Sequence, residues 1–406
     1  MLVTTRLRGN KDLIKAINRS LILNTLRRNG SLSRTQLTEI SGLSVGAVSQ
    51  ITNELIDSKW LLEVGEGDYT GGRRQVLLRL NPNAGFAIGV KLMETRAICA
   101  VTNLETEVRH YAESETGHDH SPTAITAMLC ALIERAMREA DVSEHQILGV
   151  GIGLAGVIDS PLGMVHYSPF FGWRDVPLAE MVKRGLGIDV PVYAENDVNT
   201  LTLTEQLFGE GRHAAHFAVV TIGRGVGMGM VIHHQLYQGM SGGVGELGHI
   251  TIDPNGPKCD CGKRGCLESL ASDTAVLAYV QSALAQGEIS TLTHPATLAD
   301  VIQAADGGDA LARYALARSG SYIGMGLAVV VNILCPPLIV ISGEGVAAGD
   351  HRLAPMFTAL RQHVFNGLLE NVRVIVKPAD DRAWARGAAG MVIGKVFESP
   401  LTESNG

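Results

Sequence analysis

Three of the six cysteines in this chain, Cys259, Cys261 and Cys266, lie within eight positions of one another, and His249 lies ten residues before the first. Thiolates and imidazoles are the ligands that zinc prefers, and cysteines clustered with a histidine outside a secreted context usually bind metal. We therefore expect these four side chains to hold a structural Zn²⁺, because four protein ligands leave no open position for catalysis. The alternative is a loop of reduced thiols without a metal.

Two carboxylates flank the cysteine cluster. Glu246 lies three residues before His249, and Glu268 lies two residues after Cys266. A metal ion that ties these two segments together would fix both carboxylates in one rigid wall. Because carboxylates accept charge-assisted hydrogen bonds from hydroxyl groups, such a wall suits a polyol such as a sugar.

The run Glu246-x-Gly248-His249, followed by Cys259-x-Cys261-Gly262-x-x-Gly265-Cys266-x-Glu268, resembles the signature of the ROK family (repressors, open reading frames and sugar kinases). Together with the features below, the likeness covers nearly the whole chain. The resemblance implies a two-lobed ribonuclease-H-like α/β body of the actin and hexokinase type, in which ligands lie in the cleft between the lobes. It also implies homodimers or homotetramers.

A second pair of polar residues, Asn196 and Asp197, follows the predicted strand 190–195. An amide and a carboxylate at the end of a strand can grip adjacent hydroxyls, and the alternative is that one of them merely caps the predicted helix 197–208. By resemblance, Asp197 matches the general base of the family's sugar kinases, and Gly156 matches a sugar-facing segment. The expected sugar-binding residues are Gly156, Asn196, Asp197, Glu246, His249 and Glu268.

The glycine turns bear on whether the chain is an enzyme. The turn at 221–229 keeps its glycines, although Arg224 stands where the family's kinases usually carry threonine. The turn at 89–96 resembles the kinase motif Asp-x-Gly-Gly-Thr-Lys in position only, because Lys91 replaces the aspartate, and Met93 and Glu94 replace the glycines. At 4 Å, Glu94 would repel one phosphate charge by about 4 kcal/mol at an effective dielectric of 20. We therefore expect no ATP binding and no kinase activity, with Asp197 a vestigial base.

The first 80 residues predict a winged helix-turn-helix. Apolar spacing indicates helices at 12–28, 33–41 and 44–57, and two strands at 60–64 and 75–80 would form the wing. This head carries twelve Lys/Arg against seven Asp/Glu, a net charge of +5, whereas the rest of the chain carries 22 against 34, or -12. A basic head on an acidic body indicates that the head meets a polyanion. The alternative is a three-helix module that binds another protein.

The third predicted helix should lie in the major groove. Val45 is expected to face inward with Val48, Ile51 and Leu55, so that the opposite face can read bases. Arginines are expected on phosphates or in the minor groove. The expected base-reading residues are Ser44, Ala47, Ser49, Gln50 and Asn53, and the expected backbone or minor-groove contacts are Arg34, Arg73 and Arg74.

The whole sequence is expected to form two parts, a head at 1–80 and a body at 81–400 with lobes at 81–210 and 211–400. Composition is that of a globular protein, no signal peptide is indicated, and the apolar stretch 323–341 is interrupted by Asn332 and by Pro336-Pro337. We therefore expect a cytoplasmic repressor, without membrane insertion, whose partners are operator DNA and a sugar or sugar phosphate. An active ROK kinase with an added DNA-binding head, or a repressor controlled by a protein effector, remain the alternatives.

Overall fold

The computed structural model describes residues 11–66, 75–239, 242–295 and 297–398. Its head is a small helical unit with a three-stranded antiparallel sheet in the order β1-β3-β2. A capping box begins the second helix, since Ser33 and Gln36 each accept a hydrogen bond from the backbone of the other. The elements are α1 (Lys11–Asn29), β1 (Leu32–Ser33), α2 (Arg34–Ser41), α3 (Val45–Asp57), β2 (Leu61–Glu66) and β3 (Val76–Leu80).

The first lobe of the body is built on a five-stranded sheet in the order β11-β7-β4-β5-β6. A second small sheet, β10-β9-β8, lies between β7 and the next helix. The elements are β4 (Phe86–Leu92), β5 (Arg96–Thr102), β6 (Val108–Glu115), α4 (Pro122–Glu139), β7 (Ile147–Leu154), β8 (Val157–Asp159), β9 (Met164–Ser168), β10 (Trp173–Val176), α5 (Leu178–Leu186), β11 (Val192–Asn196) and α6 (Asp197–Phe208).

The second lobe repeats this topology with the sheet order β14-β13-β12-β15-β16. In each lobe an antiparallel meander comes first, and two further strands then add in parallel beside its first strand. The repeated topology is what an internal duplication would produce. The elements are β12 (Phe217–Ile222), β13 (Val226–Ile232), β14 (Gln235–Leu236), α7 (Leu267–Ala271), α8 (Asp273–Ala285), α9 (Leu298–Asp306), α10 (Ala310–Leu334), β15 (Leu338–Ser342), α11 (Asp350–His363), β16 (Arg373–Val376) and α12 (Asp381–Phe397).

Helix α12 lies against the sheet of the first lobe although it follows the last strand of the second. The contact is close because glycines stand on the sheet beneath it: a Cβ added at Gly89 would lie 2.1 Å from the Ala385 carbonyl oxygen, and one at Gly151 would lie 2.2 Å from that of Ala388. Any larger residue at these two strand positions would push the helix away. The helix therefore ties the two lobes together.

The head docks on the far end of α12. Ser20 Oγ and Asn24 Nδ2 of α1 donate to the carbonyl oxygen of Phe397, at 3.0 and 2.6 Å, and Arg27 Nη1 donates to that of Leu207 at 3.2 Å. Buried side chains of α1, including Ile22, share one apolar cluster with the end of α12. The last turn of the body's final helix is thus capped by the head.

Helix α10 is the one described helix with the length and apolar composition to span a membrane. Of its most apolar window, 56% is buried inside the protein. It packs closely on α11, where a Cβ added at Gly320 would meet the backbone of Arg352. These contacts are those of a core helix, as the interruptions in the sequence predicted.

Candidate functional site

The cysteine–histidine cluster lies in the long connection between β14 and α7. The ligand atoms of His249, Cys259, Cys261 and Cys266 all lie within 4.8 Å of one another. Cys261 Sγ and Cys266 Sγ are 3.6 Å apart, as are Cys259 Sγ and His249 Nδ1. Two thiolates on a tetrahedral zinc ion, at the usual Zn–S distance, lie about 3.8 Å apart. The four side chains are therefore close enough together to hold one metal ion.

Glu246 lies next to this cluster, beside His249. With His249 Nδ1 turned toward Cys259, the other ring nitrogen, Nε2, lies 3.7 Å from Glu246 Oε2. Burial raises the pKa of Glu246, and the nearby carboxylates of Glu268 and Asp197 raise it further, while His249 opposes them. The carboxylates that the sequence predicted on one wall thus lie within electrostatic range of one another.

Glu268, in the first turn of α7, connects the cluster to the glycine-rich turn before β13. Its Oε2 atom accepts a hydrogen bond from the backbone N–H of Val226 at 3.1 Å. The same oxygen would lie 2.5 Å from a Cβ added at Gly225, so a larger residue there would displace this carboxylate. Glu268 is therefore held by the backbone of the second lobe.

Asn196 caps α6, which is one of the two roles that the sequence left open. Its Oδ1 atom caps α6 by accepting from the N–H groups of Val198 and Asn199, at 2.9 and 3.4 Å. Its Nδ2 atom donates to the carbonyl oxygen of Gly156 at 3.0 Å. The two predicted residues Asn196 and Gly156 thus lie together, and sugar contact by Asn196 stays a prediction.

Asp197 is held by a cation that the sequence reasoning did not pair with it. Its Oδ2 atom forms an ion pair with Lys91 Nζ, and its Oδ1 atom accepts from the N–H of Val198 at 2.9 Å. Lys91 and Asp197 are only 8% and 9% exposed, and the Lys91 ammonium also lies 4.5 Å from the centre of the Trp384 ring. One oxygen of the aspartate is therefore engaged by an ammonium and the other by a backbone N–H.

A further buried carboxylate, Glu195, was missed by the sequence analysis. It is 1% exposed, and it accepts from the Asn196 N–H at 2.8 Å, from Asn199 Nδ2 at 3.0 Å and from Gln238 Nε2 at 2.6 Å. Burial raises its pKa, and these donors oppose the rise. Because Glu195 lies in β11 and Gln238 follows β14, the last of these bonds crosses from one lobe to the other. Its position directly before Asn196 was the available signal.

The two glycine turns are joined by a second ion pair. Arg224 Nη2 of the second lobe lies 2.5 Å from Glu94 Oε2 of the first, and the Arg224 guanidinium lies 4.4 Å from the centre of the Phe170 ring. The sequence argument treated Glu94 as an unpaired charge that repels phosphate. The structure corrects this, since Glu94 is paired with Arg224.

On the head, the expected DNA-binding face is only partly as predicted. Ser44, Gln50 and Asn53 are exposed, whereas Ala47 and Ser49 are half-buried. Ser44 Oγ caps α3 by accepting from the Ala47 N–H at 3.3 Å. The prediction that Val45 faces inward is wrong, because it lies in the first turn of α3, beyond the apolar core, and is 69% exposed.

Arg34 is fixed against α3 rather than free on the surface. Its Nε atom donates to Thr52 Oγ1 and its Nη2 atom to Asn53 Oδ1, both at 3.0 Å. This contact leaves the Asn53 amide nitrogen to face outward from the helix. Arg73 and Arg74, expected at the tip of the wing, lie outside the described residues.

Comparison with known proteins places this geometry in a family. The model of the ROK family matches residues 87–395, and a model described as winged helix-turn-helix DNA-binding matches residues 16–61. The chain belongs to the ROK family. A putative xylose repressor from Caldicellulosiruptor sp. (strain Rt8B.4) is 34% identical over 397 residues, which are 97% of this chain and 99% of that protein.

One solved ROK structure matches nearly the whole chain, and another matches a smaller part of it. A crystal structure of a ROK family transcriptional regulator, a homologue of the E. coli MLC protein, is 27% identical with a TM-score of 0.84 and covers 97% of this chain and 99% of its own. A ROK family glucokinase from Streptomyces griseus, crystallised with glucose and AMPPNP, is 28% identical with a TM-score of 0.65 and covers 76% of this chain and 99% of its own. The two-lobed body with an N-terminal winged helix-turn-helix is thus confirmed.

Proposed function

We propose that this ROK protein is a cytoplasmic transcriptional repressor whose head binds operator DNA and whose inter-lobe cleft binds a sugar that releases it. This proposal rests on the presence of a winged helix-turn-helix and of the predicted sugar-site residues in the same chain. That chain matches a putative xylose repressor over almost its full length. That relative's name makes xylose the first sugar to test. Glu246, Glu268, Asn196, Asp197 and His249 would contact it.

The cleft of this protein does not favour phosphoryl transfer. A general base must be free to accept the proton of the attacking hydroxyl, and one oxygen of Asp197 is instead bonded to Lys91. The Glu94–Arg224 ion pair joins the two glycine turns, and Glu94 places a negative charge where the family's kinases carry glycine. The retained Asp197 and the glycine turn at 221–229 are what support the alternative, an active sugar kinase.

Zinc would serve this site by holding the wall that carries Glu246 and Glu268. His249, Cys259, Cys261 and Cys266 fit Zn²⁺ by donor type and spacing, and four such ligands make a structural rather than a catalytic site. When bound, the metal supplies stability and orientation only. Metal analysis of the purified protein should find close to one zinc per chain.

The repressor is proposed to act as a homodimer or homotetramer. A helix-turn-helix protein reads two half-sites with two heads, and their separation must match that of the half-sites. A sugar that favours one arrangement of the lobes would shift the population of head spacings, because α1 is docked on α12, which ties the lobes together. Light scattering coupled to gel filtration gives the number of chains.

The test is operator binding, followed by fluorescence anisotropy, in titrations with xylose, glucose, N-acetylglucosamine and their phosphates. At least one sugar should weaken operator binding, and an Asp197→Asn variant should respond more weakly to that sugar. If every sugar that binds the body leaves operator affinity unchanged, the effector is not a sugar and a protein partner takes its place. Coupled ADP release with the same sugars would identify a kinase, since only true turnover is lost in Asp197→Asn.

A further inference from the structure

The connection that follows β14, residues 237–245, is held at both ends on β13 of the second lobe. At its start, the backbone N–H of Tyr237 donates to the carbonyl oxygen of Met230 at 2.9 Å. At its end, a Cβ added at Gly245 would lie 2.0 Å from the carbonyl oxygen of Met228. The two ends of this connection therefore move with the second lobe.

Two residues between these ends, Gln238 and Gly242, instead contact the first lobe. Gln238 Nε2 donates to Glu195 Oε2 of β11 at 2.6 Å. Gly242 has a φ of +72°, and a Cβ added to it would lie 1.9 Å from the carbonyl oxygen of Ile158 in β8. Glycine allows both this backbone conformation and this close approach. One connection thus touches both lobes.

Glu195 is well suited to hold the connection, because its carboxylate is surrounded by hydrogen-bond donors. The Asn196 N–H, Asn199 Nδ2 and the Ser160 side chain of the first lobe all bond to it. Among its donors in the described ranges, Gln238 alone comes from the second lobe. Glu195 is 1% exposed, so water cannot readily replace a donor that is lost. The Gln238 bond therefore favours the arrangement in which the lobes are close together.

This bond lies between the two groups of predicted sugar-binding residues. On the first lobe, Asn196 directly follows Glu195 and donates its N–H to it at 2.8 Å. On the second lobe, Glu246 directly follows the connection that carries Gln238. A contact that holds Glu195 and Gln238 together therefore also sets how far Asn196 and Glu246 stand apart.

We propose that Gln238 and Glu195 form a latch between the lobes, in which Gln238 is a positioning residue that sets the affinity of the cleft for its sugar without contacting the sugar. The inference rests on the proposed sugar-binding function. With the latch formed, the groups of both lobes already face one sugar. Without it, only the fraction of molecules with close lobes binds well, and the apparent affinity falls by that fraction.

Gln238→Leu tests the latch because it removes the donor and keeps a side chain of similar size. Binding of xylose, glucose and N-acetylglucosamine to the full-length protein is measured by isothermal titration calorimetry. The variant should bind each sugar about tenfold more weakly than the wild type, as expected for the loss of one hydrogen bond to a charged group. The factor should be the same for every sugar, since the latch acts on the lobes. A direct contact with the sugar would give factors that differ between sugars.

Exchanging the two side chains should restore the affinity. In the double variant Glu195→Gln with Gln238→Glu, the amide at 195 can still accept from the Asn196 N–H and can donate to the new carboxylate. Gln146→Leu is the matched control, because Gln146 is a half-buried glutamine that bonds to Ser143 of its own lobe. It should leave the sugar affinity unchanged.

Hydrogen exchange followed by mass spectrometry tests the latch without any sugar. Peptides that cover β11 and the β13–β14 hairpin should exchange faster in Gln238→Leu than in the wild type, because the contact that holds them together is lost. The exchanged double variant should return to the wild-type rates. Peptides from α9 should exchange alike in all of these proteins.

Unchanged sugar affinity in Gln238→Leu, a loss that differs between sugars, or a double variant that behaves like Gln238→Leu would overturn the latch. Failure of the proposed function looks different. If the wild type binds no sugar but the exchange rates change as expected, the contact between the lobes stands and the sugar-sensing function fails. If a sugar releases operator DNA equally well from the wild type and Gln238→Leu, the latch alone fails.

Discussion

Replacing Lys91 with methionine is expected to destabilise the body, because it removes the counter-ion of a buried aspartate. The side chains of Lys91 and Asp197 are 10% and 12% exposed. Removing one partner of a buried pair costs about 3–5 kcal/mol. Asp197 keeps its bond to the Val198 N–H and a little solvent, which favours the lower end, about 3 kcal/mol. Asp197→Asn should cost less, about 2 kcal/mol, because the amide oxygen can still accept from the ammonium.

The double variant decides whether the two residues act as a pair. With both charges gone, nothing buried is left uncompensated, so Lys91→Met with Asp197→Asn should cost about 2 kcal/mol rather than the sum of the single effects. The coupling free energy is then about 3 kcal/mol. Urea unfolding of all four proteins, followed by tryptophan fluorescence, gives the free energy of unfolding for the transition that includes Trp384.

Additivity would refute this reasoning. If the double variant loses the sum of the two single losses, to within about 0.5 kcal/mol, Lys91 and Asp197 do not stabilise each other. The argument that Lys91 occupies the vestigial base would then lose its energetic support, and the kinase alternative would gain.

Three further predictions concern the metal, the head and the pH dependence. Cys266→Ser should lower the zinc content and the melting temperature, whereas Cys335→Ser, a change at an exposed thiol outside the cluster, should leave both unchanged. Asn53→Ala should weaken operator binding about tenfold, the usual loss for one base contact. If anisotropy titrations of this variant match those of the wild type, Asn53 does not contact a base. Burial raises the pKa of Glu195, so this carboxyl group keeps its proton to higher pH in the folded protein than in the unfolded chain. Its contribution to the free energy of unfolding is therefore complete at low pH and is lost as pH rises through the pKa of the folded state. The urea midpoint of Glu195→Gln should not show this decline above the pH range in which glutamate normally titrates. Parallel pH profiles for the wild type and the variant would contradict the prediction.

Local patterns in the sequence predicted most of the elements and the cysteine cluster. The two lobes were expected from the resemblance to the ROK family rather than from apolar spacing, because central strands such as β4 and β12 are buried on both faces. The cluster was visible because three of its four ligands are close in sequence, and a short loop with Gly262 and Gly265 brings them together. The error at Val45 arose because helical periodicity does not say where along a helix the core ends.

Local sequence patterns could not predict ion pairs between side chains that are far apart in the sequence. Lys91 and Asp197 are 106 positions apart, and Glu94 and Arg224 are 130 apart. The sequence showed that the kinase-type turn had changed, but not that each new side chain had found a partner of opposite charge. Such pairing depends on how β4 lies against α6 and on how the lobes face each other, which no local pattern records.

The capping of Phe397 by Ser20 and Asn24 has a practical consequence for chimeric regulators. A graft that gives this body the head of a relative would have to bring equivalent donors on its first helix. Otherwise the last carbonyls of α12 would face an apolar surface unpaired, and the final turn would fray. Specificity for DNA can therefore be exchanged only together with the small set of polar contacts that fastens one module to the other.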